Sequence, residues 1–262
     1  MRRIHSQLLG VIIPNLYFRA FITGRLIYQG PLKGFCVPTL NCRGCPVSLF
    51  ACPMGALQHF MAIRQFPFYV IGYLGIVGVL LGRLSCGWIC PFGFLQDILY
   101  KIKSFKFKIP HAFRYLKYVC LVGVVIILSI ITQETWFCKI CPQGGLEAGI
   151  PLVLISDAMR QLIGVLFIVK MVILGVFLFL FIVCRRPFCT VVCPLGAMYS
   201  VFNRVSVIKL TVDKVKCINC WVCAKVCSTG GTPHTNSLDC IKCFECKRKC
   251  PNNAIGVKIG LA

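Results

Sequence analysis

Apolar residues in this chain gather into long unbroken runs rather than into the alternation of a half-buried strand or the single stripe of a surface helix. Runs over 66–82, 115–132 and 163–183 approach the length that crosses a hydrocarbon core of about 30 Å, and predict three membrane-spanning helices. A fourth run, 8–28, contains Pro14, Asn15 and Arg19. Its break at Pro14-Asn15, with no small-x-small site following, predicts a span rather than a cleaved signal segment. Composition points the same way, since 58% hydrophobic residues, 14% charged residues and a mean hydropathy of +0.81 exclude an ordinary soluble domain.

Four spans sort the loops by side. Residues 1–7, 83–114 and 184–262 fall together, and carry Arg2, Arg3, Arg83, Lys101, Lys103, Lys106, Lys108, Arg114 and most of the basic residues after Arg185. Residues 29–65 and 133–162 fall on the other side, with Lys33, Arg43, Arg64, Lys139 and Arg160. The imbalance predicts a multi-pass protein of the cytoplasmic membrane with both termini in the cytoplasm. A formal charge of +22 then implies a lipid bilayer as partner and needs no nucleic acid.

Twenty cysteines change the picture. Eight stand in two runs, Cys217-x2-Cys220-x2-Cys223-x3-Cys227 and Cys240-x2-Cys243-x2-Cys246-x3-Cys250-Pro251. This doubled spacing is the two-cluster ferredoxin pattern, in which the fourth cysteine of each run reaches the other cluster. Cys217, Cys220, Cys223 and Cys250 are expected to hold one 4Fe-4S cluster, and Cys240, Cys243, Cys246 and Cys227 the other. Zinc sites and disulfides do not require three tight turns in series. Ser228 replaces the proline usual after the fourth cysteine of the first run, which removes no ligand.

Upstream, the chain writes Cys-Pro-x-Gly-x-(Leu or Met) four times, at Cys52, Cys90, Cys141 and Cys193. Proline suits the first turn of a helix, so each cysteine is expected at a helix N-terminus, where free N–H groups and the helix dipole favour thiolate. Cys86-x3-Cys90 and Cys189-x3-Cys193 both follow a span running into the cytoplasm and can form one inner set of four. Beyond the membrane lie Cys36, Cys42, Cys45, Cys52, Cys138 and Cys141, six candidates for the four places of an outer set. Cys120 and Cys184 read as buried apolar residues. Lys170, inside a span, either snorkels or faces an anionic cluster. The stripe Gly72, Gly75, Gly78 and Gly82 suggests close helix packing. Gln96, Asp97 and Lys101 read as a solvated helix face, with contact to a quinone head group as the alternative. Lys242, Lys247, Arg248 and Lys249 read as a solvated, headgroup-facing surface that would also suit an acidic partner.

The paired Cys-x3-Cys-Pro motifs between membrane helices, followed by the two-cluster unit, resemble the polytopic membrane ferredoxins related to NapH, the C-terminal part of NosR, and CcoG. The expected fold is a four-helix α-helical membrane domain in two pseudo-symmetric halves, residues 1–204, carrying a small α+β two-cluster ferredoxin domain, residues 205–262. The resemblance implies two clusters in the ferredoxin unit and two more in the membrane part. It implies single-electron transfer between a cytoplasmic ferredoxin, flavodoxin or flavoprotein and a membrane quinone or extracytoplasmic redox protein. Such a chain is an electron-transfer component of an oxidoreductase system rather than a stand-alone enzyme. Two alternatives remain open: a quinone or copper-ion reductase, since soft thiolates also suit Cu(I), and a ferredoxin merely anchored on a larger complex.

Overall fold

The structure is a computed structural model that describes residues 3–18, 27–107, 109–231, 233 and 237–260. Helix α1 (Arg3–Ile12) ends where Pro14 cannot continue the ladder, and a 3-10 turn, Ile13–Asn15, follows. The chain then turns aside, with the Tyr17 N–H donating to Val47 O at 3.0 Å. The expected span over 8–28 is therefore not one continuous helix where it is described; its residues 19–26 lie outside the described residues.

Helices α2 (Pro53–Ala62), α3 (Phe68–Leu81), α4 (Pro91–Leu99), α5 (Ala112–Thr132), α6 (Val165–Val183) and α7 (Pro194–Phe202) build the body of the molecule. Helices α5 and α6 are long and apolar enough to cross a membrane, and only 22% and 11% of their apolar windows are covered by the protein. A core helix of a soluble protein would be mostly covered, so these faces suit lipid. Helix α3, with 14 residues, reaches only about 21 Å at 1.5 Å per residue, short of the hydrocarbon core. It packs on α7 at Gly78, where a Cβ would stand 2.7 Å from the Phe202 ring. Gly72 and Gly75 have nothing near them, so the glycine stripe makes a contact only at its inner end.

One apolar core runs from Leu40, Met54 and Leu57 through Val70, Leu74 and Val125 to Phe92, Phe181, Phe188 and Ile241. Phe92 stands edge-on to Phe181 and Phe188, at 5.3 and 4.9 Å. At the C-terminal end, β1 (Ile208–Val212) and β2 (Ile255–Ile259) pair antiparallel, Ile208 opposite Ile259. Between them lie two cysteine loops and two one-turn helices, Val222–Lys225 and Glu245–Arg248.

Candidate metal centres

The four Cys-Pro-x-Gly motifs all form the same local structure. Cys52, Cys90, Cys141 and Cys193 are extended N-cap residues, each with proline in the first helical turn. In each motif the glycine N–H, three residues on, donates to the cysteine sulfur: Gly55 to Cys52, Gly93 to Cys90, Gly144 to Cys141 and Gly196 to Cys193. In two of the four motifs packing favours the glycine as well. A Cβ at Gly196 would meet Cys189 O at 3.0 Å, and one at Gly93 would meet Cys86 O at 2.9 Å.

Packing then sorts the thiols into sets. Cys86, Cys90, Cys189 and Cys193 are all buried, and every pair among them lies within electrostatic reach. The same holds for every pair among Cys42, Cys52, Cys138 and Cys141. That second set lines a cavity of about 400 Å³, which neither Cys36 nor Cys45 lines. Instead, the Cys45 sulfur accepts from the N–H groups of Val47 and Ser48 near Lys33, and Cys36 lies within electrostatic reach of Cys52 and Arg43. Lys170 faces the second set, with its Nζ 3.4 Å from where a Gly144 Cβ would be and its charge felt at Cys138 and Cys141.

The two sets are not on opposite sides of a bilayer-wide gap, as the loop assignment had them. Leu40 N–H donates to Cys90 of the first set, and the next N–H, that of Asn41, donates to Cys52 of the second. The loop carrying them folds inward because it is closed on itself by Val37 N–H to Ala51 O at 3.1 Å and by Asn41 Nδ2 to Ser48 Oγ at 2.9 Å.

In the C-terminal unit, Cys217, Cys220, Cys223 and Cys250 line one small cavity, and Cys227, Cys240, Cys243 and Cys246 line another together with Cys223. Around the middle cysteine of each loop the backbone is left-handed, at Asn219 and Trp221 (φ 52° and 56°) and at Lys242 and Phe244 (φ 49° and 58°). Non-glycine residues in this region cost on the order of 1–3 kcal/mol each, and alternating handedness turns successive N–H groups into an anion-binding concavity.

Two arginines escaped the sequence-based expectations. Arg83 and Arg186 are wholly buried, each three residues before the first cysteine of its pair. Each reaches across to the opposite pair: Arg83 donates to Cys189 O and Arg186 to Cys86 O, both at 2.8 Å. Arg83 also pairs with Asp239 at 2.6 Å, and Arg186 with Asp97 at 2.6 Å. Burial pushes the Asp97 carboxyl up, but the Arg186 hydrogen bond and charge, then Arg3, more than offset it and hold it below the usual carboxylate range. The signal was present as Arg-x2-Cys-x3-Cys-Pro, written twice.

These contacts overturn two surface assignments. Gln96 is fully buried, donating to the Cys189 sulfur at 3.1 Å, and Asp97 is bound by Arg3 and Arg186 rather than by water. Lys242 is also buried, donating to Ser206 Oγ at 2.6 Å and Leu81 O at 3.0 Å, and burial pulls its ammonium down to about 8. In both cases a paired or hydrogen-bonded interior offsets the desolvation that makes buried charge rare.

A 4Fe-4S cluster fits the donor chemistry of the sets. Each set offers four cysteine sulfurs, the number and type of donor that a 4Fe-4S cluster takes, and burial, ahead of neighbouring negative groups, pushes the Cys42 thiol up to about 12, as burial also does for Cys141. Beside the first set, Arg83 Nε and the Tyr199 hydroxyl are buried without a hydrogen-bond partner among the described residues. Cluster sulfur would accept from such donors.

The profile of a family described as "4Fe-4S binding domain" matches residues 50–70, 66–110, 114–150 and 166–213, each match containing one Cys-Pro-x-Gly motif. The chain belongs to the 4Fe-4S binding domain family. It is 31% identical to the uncharacterized protein MJ0750 of Methanocaldococcus jannaschii, over 69% of the chain and 74% of that relative. It is 28% identical to the methylamine utilization ferredoxin-type protein MauN of Methylobacillus flagellatus, over 60% of the chain and 51% of MauN. It is 28% identical to the ferredoxin-type protein NapH of Escherichia coli, over 55% of the chain and 47% of NapH. The chain thus spans about half the length of MauN and NapH. No solved structure matches it.

Proposed function

We propose that this protein is a multi-pass membrane electron relay whose thiol sets hold four 4Fe-4S clusters in series. The observation that carries this reading is the direct seating of the C-terminal cysteine loop on the first thiol set. Trp88 Nε1, between Cys86 and Cys90, donates to Lys242 O at 2.9 Å, between Cys240 and Cys243. Gly87 lies so close to Ile241 O that a Cβ would stand 2.4 Å from it. Asn203 Nδ2 holds the same loop through Cys240 O at 3.0 Å and Ser237 O at 3.1 Å. Arg83 bridges from Cys189 O to Asp239, beside Cys240.

When bound, the clusters supply one-electron oxidation and reduction. The chain's residues do the rest. Cys217, Cys220, Cys223 and Cys250 stand at the outermost position, next to exposed Val215, Ile218 and Trp221 and to Lys214 and Lys216. This apolar face with a basic rim suits docking of an acidic one-electron donor, a ferredoxin, flavodoxin or flavoprotein in the cytoplasm. Cys227, Cys240, Cys243 and Cys246 come next, then the Cys86/Cys90/Cys189/Cys193 set, then the Cys42/Cys52/Cys138/Cys141 set. Arg83, Arg186 and Lys170 place positive charge beside thiolate-rich groups. The reciprocal reach of Arg83 and Arg186 supports two pseudo-symmetric halves, and α5 and α6 anchor them in the bilayer. A quinone or an extracytoplasmic redox protein takes the electron at the far end.

Iron and acid-labile sulfide on protein purified in detergent without oxygen test this reading. About sixteen irons per chain are expected. About eight would restrict clusters to the C-terminal unit and leave only a membrane-anchored ferredoxin, and copper in place of the missing iron would favour a copper-handling second set.

A further inference from the structure

The two membrane-domain thiol sets share a single peptide. The Leu40 N–H donates to the sulfur of Cys90 and the Asn41 N–H to the sulfur of Cys52. Both residues are buried, Leu40 to 3% exposure and Asn41 to 0%. From one sulfur to the other the route is one hydrogen bond, the main chain of Leu40 and a second hydrogen bond. Tyr199, wholly buried, lies within electrostatic reach of Cys86 in the first set and of Cys52 in the second, so it too stands between them. Cys90, Cys193 and Cys141 belong to one apolar core with Leu40, Met54 and Phe137.

We infer that the two sets act as one closely coupled pair, with the Leu40–Asn41 peptide as the positioning element and the bridge between them. This rests on the relay reading. Electron tunnelling weakens steeply with distance and proceeds better through bonded atoms than across open space, so a shared buried peptide favours rapid exchange. Main-chain hydrogen bonds and the buried Ser48 hydroxyl hold the peptide in place. Leu49 N–H donates to Pro14 O at 2.9 Å, Ser48 Oγ to Phe50 O at 2.8 Å, and Ala51 N–H to Phe35 O at 3.0 Å, so the loop is tied down on both flanks of the bridge. In the exchange one electron leaves one set and enters the other; no bond forms or breaks and no proton moves. The cytoplasmic one-electron donor supplies that electron, and the quinone or redox-protein acceptor removes it.

The pairing has a consequence that a chain of separated centres lacks: unpaired spins on the two sets must sense each other. The test is electron paramagnetic resonance on the full-length protein, purified in detergent without oxygen and reduced with dithionite, with iron counted in the same samples. The first-set signal is identified as the one lost in Cys193→Ala. In the wild type this signal should be split or broadened and should relax fast. Cys138→Ala should remove about four irons, leave the first-set signal present, and remove the part of its splitting and fast relaxation that the second set causes, while coupling to the adjoining C-terminal cluster persists. Cys45→Ala, whose thiol turns away from the cavity, should leave both iron and line shape unchanged. A first-set signal that keeps its wild-type shape and relaxation while Cys138→Ala loses four irons would overturn the coupling and leave the four-cluster relay standing. About eight irons in the wild type would take down both.

Discussion

A Gly87→Ala variant should keep its full iron content and lose fast electron passage between the C-terminal unit and the membrane domain. The added methyl would stand 2.4 Å from Ile241 O, a main-chain atom that cannot rotate aside as a side chain could. The loop would have to move out, against Trp88 Nε1 to Lys242 O at 2.9 Å and Asn203 Nδ2 to Cys240 O at 3.0 Å. Overpacking of this kind costs about 1–3 kcal/mol, enough to populate an undocked loop without unfolding either part. Stopped-flow reduction by a one-electron donor should then show the two C-terminal clusters filling at their wild-type rate and the first thiol set lagging. Limited proteolysis should cut more readily in the connection after Phe202. Unchanged filling of the first set would mean that the Gly87–Ile241 contact does not carry the path.

An Arg186→Ala variant should suffer the largest loss of stability outside the cysteines. Arg186 is wholly buried, pairs with Asp97 at 2.6 Å and holds Cys86 O at 2.8 Å. Removing one partner of a buried pair costs about 3–5 kcal/mol, and the retained contact of Asp97 with Arg3 sets the expectation near the lower figure. Arg186→Lys should recover only part of this, because an ammonium cannot fork to Asp97 and also reach Cys86 O. The reduction potential of the first-set signal should fall in both variants, by less in the lysine form, since a positive charge beside the set favours the added electron. Arg83→Ala is the matched comparison, with Asp239 still held by Lys117. Thermal unfolding and a redox titration of the same samples decide the matter; wild-type potential in a folded Arg186→Ala protein would show the arginine to be structural alone.

Features that depend on near neighbours in the chain were legible before any coordinates. The runs over 66–82, 115–132 and 163–183 correspond to helices at Phe68–Leu81, Ala112–Thr132 and Val165–Val183. Cysteine followed by proline at the start of a helix is likewise local, and all four instances cap as the motif implies. The doubled three-residue spacing gathers Cys217, Cys220, Cys223 and Cys250 at one C-terminal cavity and Cys227, Cys240, Cys243 and Cys246, with Cys223, at the other, because the turns between them leave little freedom.

Polar residues gave the opposite result. Gln96, Asp97 and Lys242 looked like surface because polar residues on a short helix or loop usually are, yet each is withdrawn from water by a partner far away in sequence. Nothing local distinguishes a half-buried aspartate paired with two arginines from a solvated one. Arg83 and Arg186 illustrate the same point from the other side: their repeat was visible, but its meaning depended on each arginine crossing to the other pair's carbonyl.

The amino-acid sequence by itself determined the helices, the cysteine caps and the ferredoxin-like loops, since hydrophobic run length and backbone preference act over a few residues at a time. Tertiary structure alone decided that Cys42 and Cys52 join Cys138 and Cys141 while Cys36 and Cys45 do not, and that this set touches the other through Leu40 and Asn41. Those outcomes depend on how an inward-folded loop packs against helices a hundred residues away, where burial and hydrogen-bond geometry choose among thiols that spacing leaves equivalent.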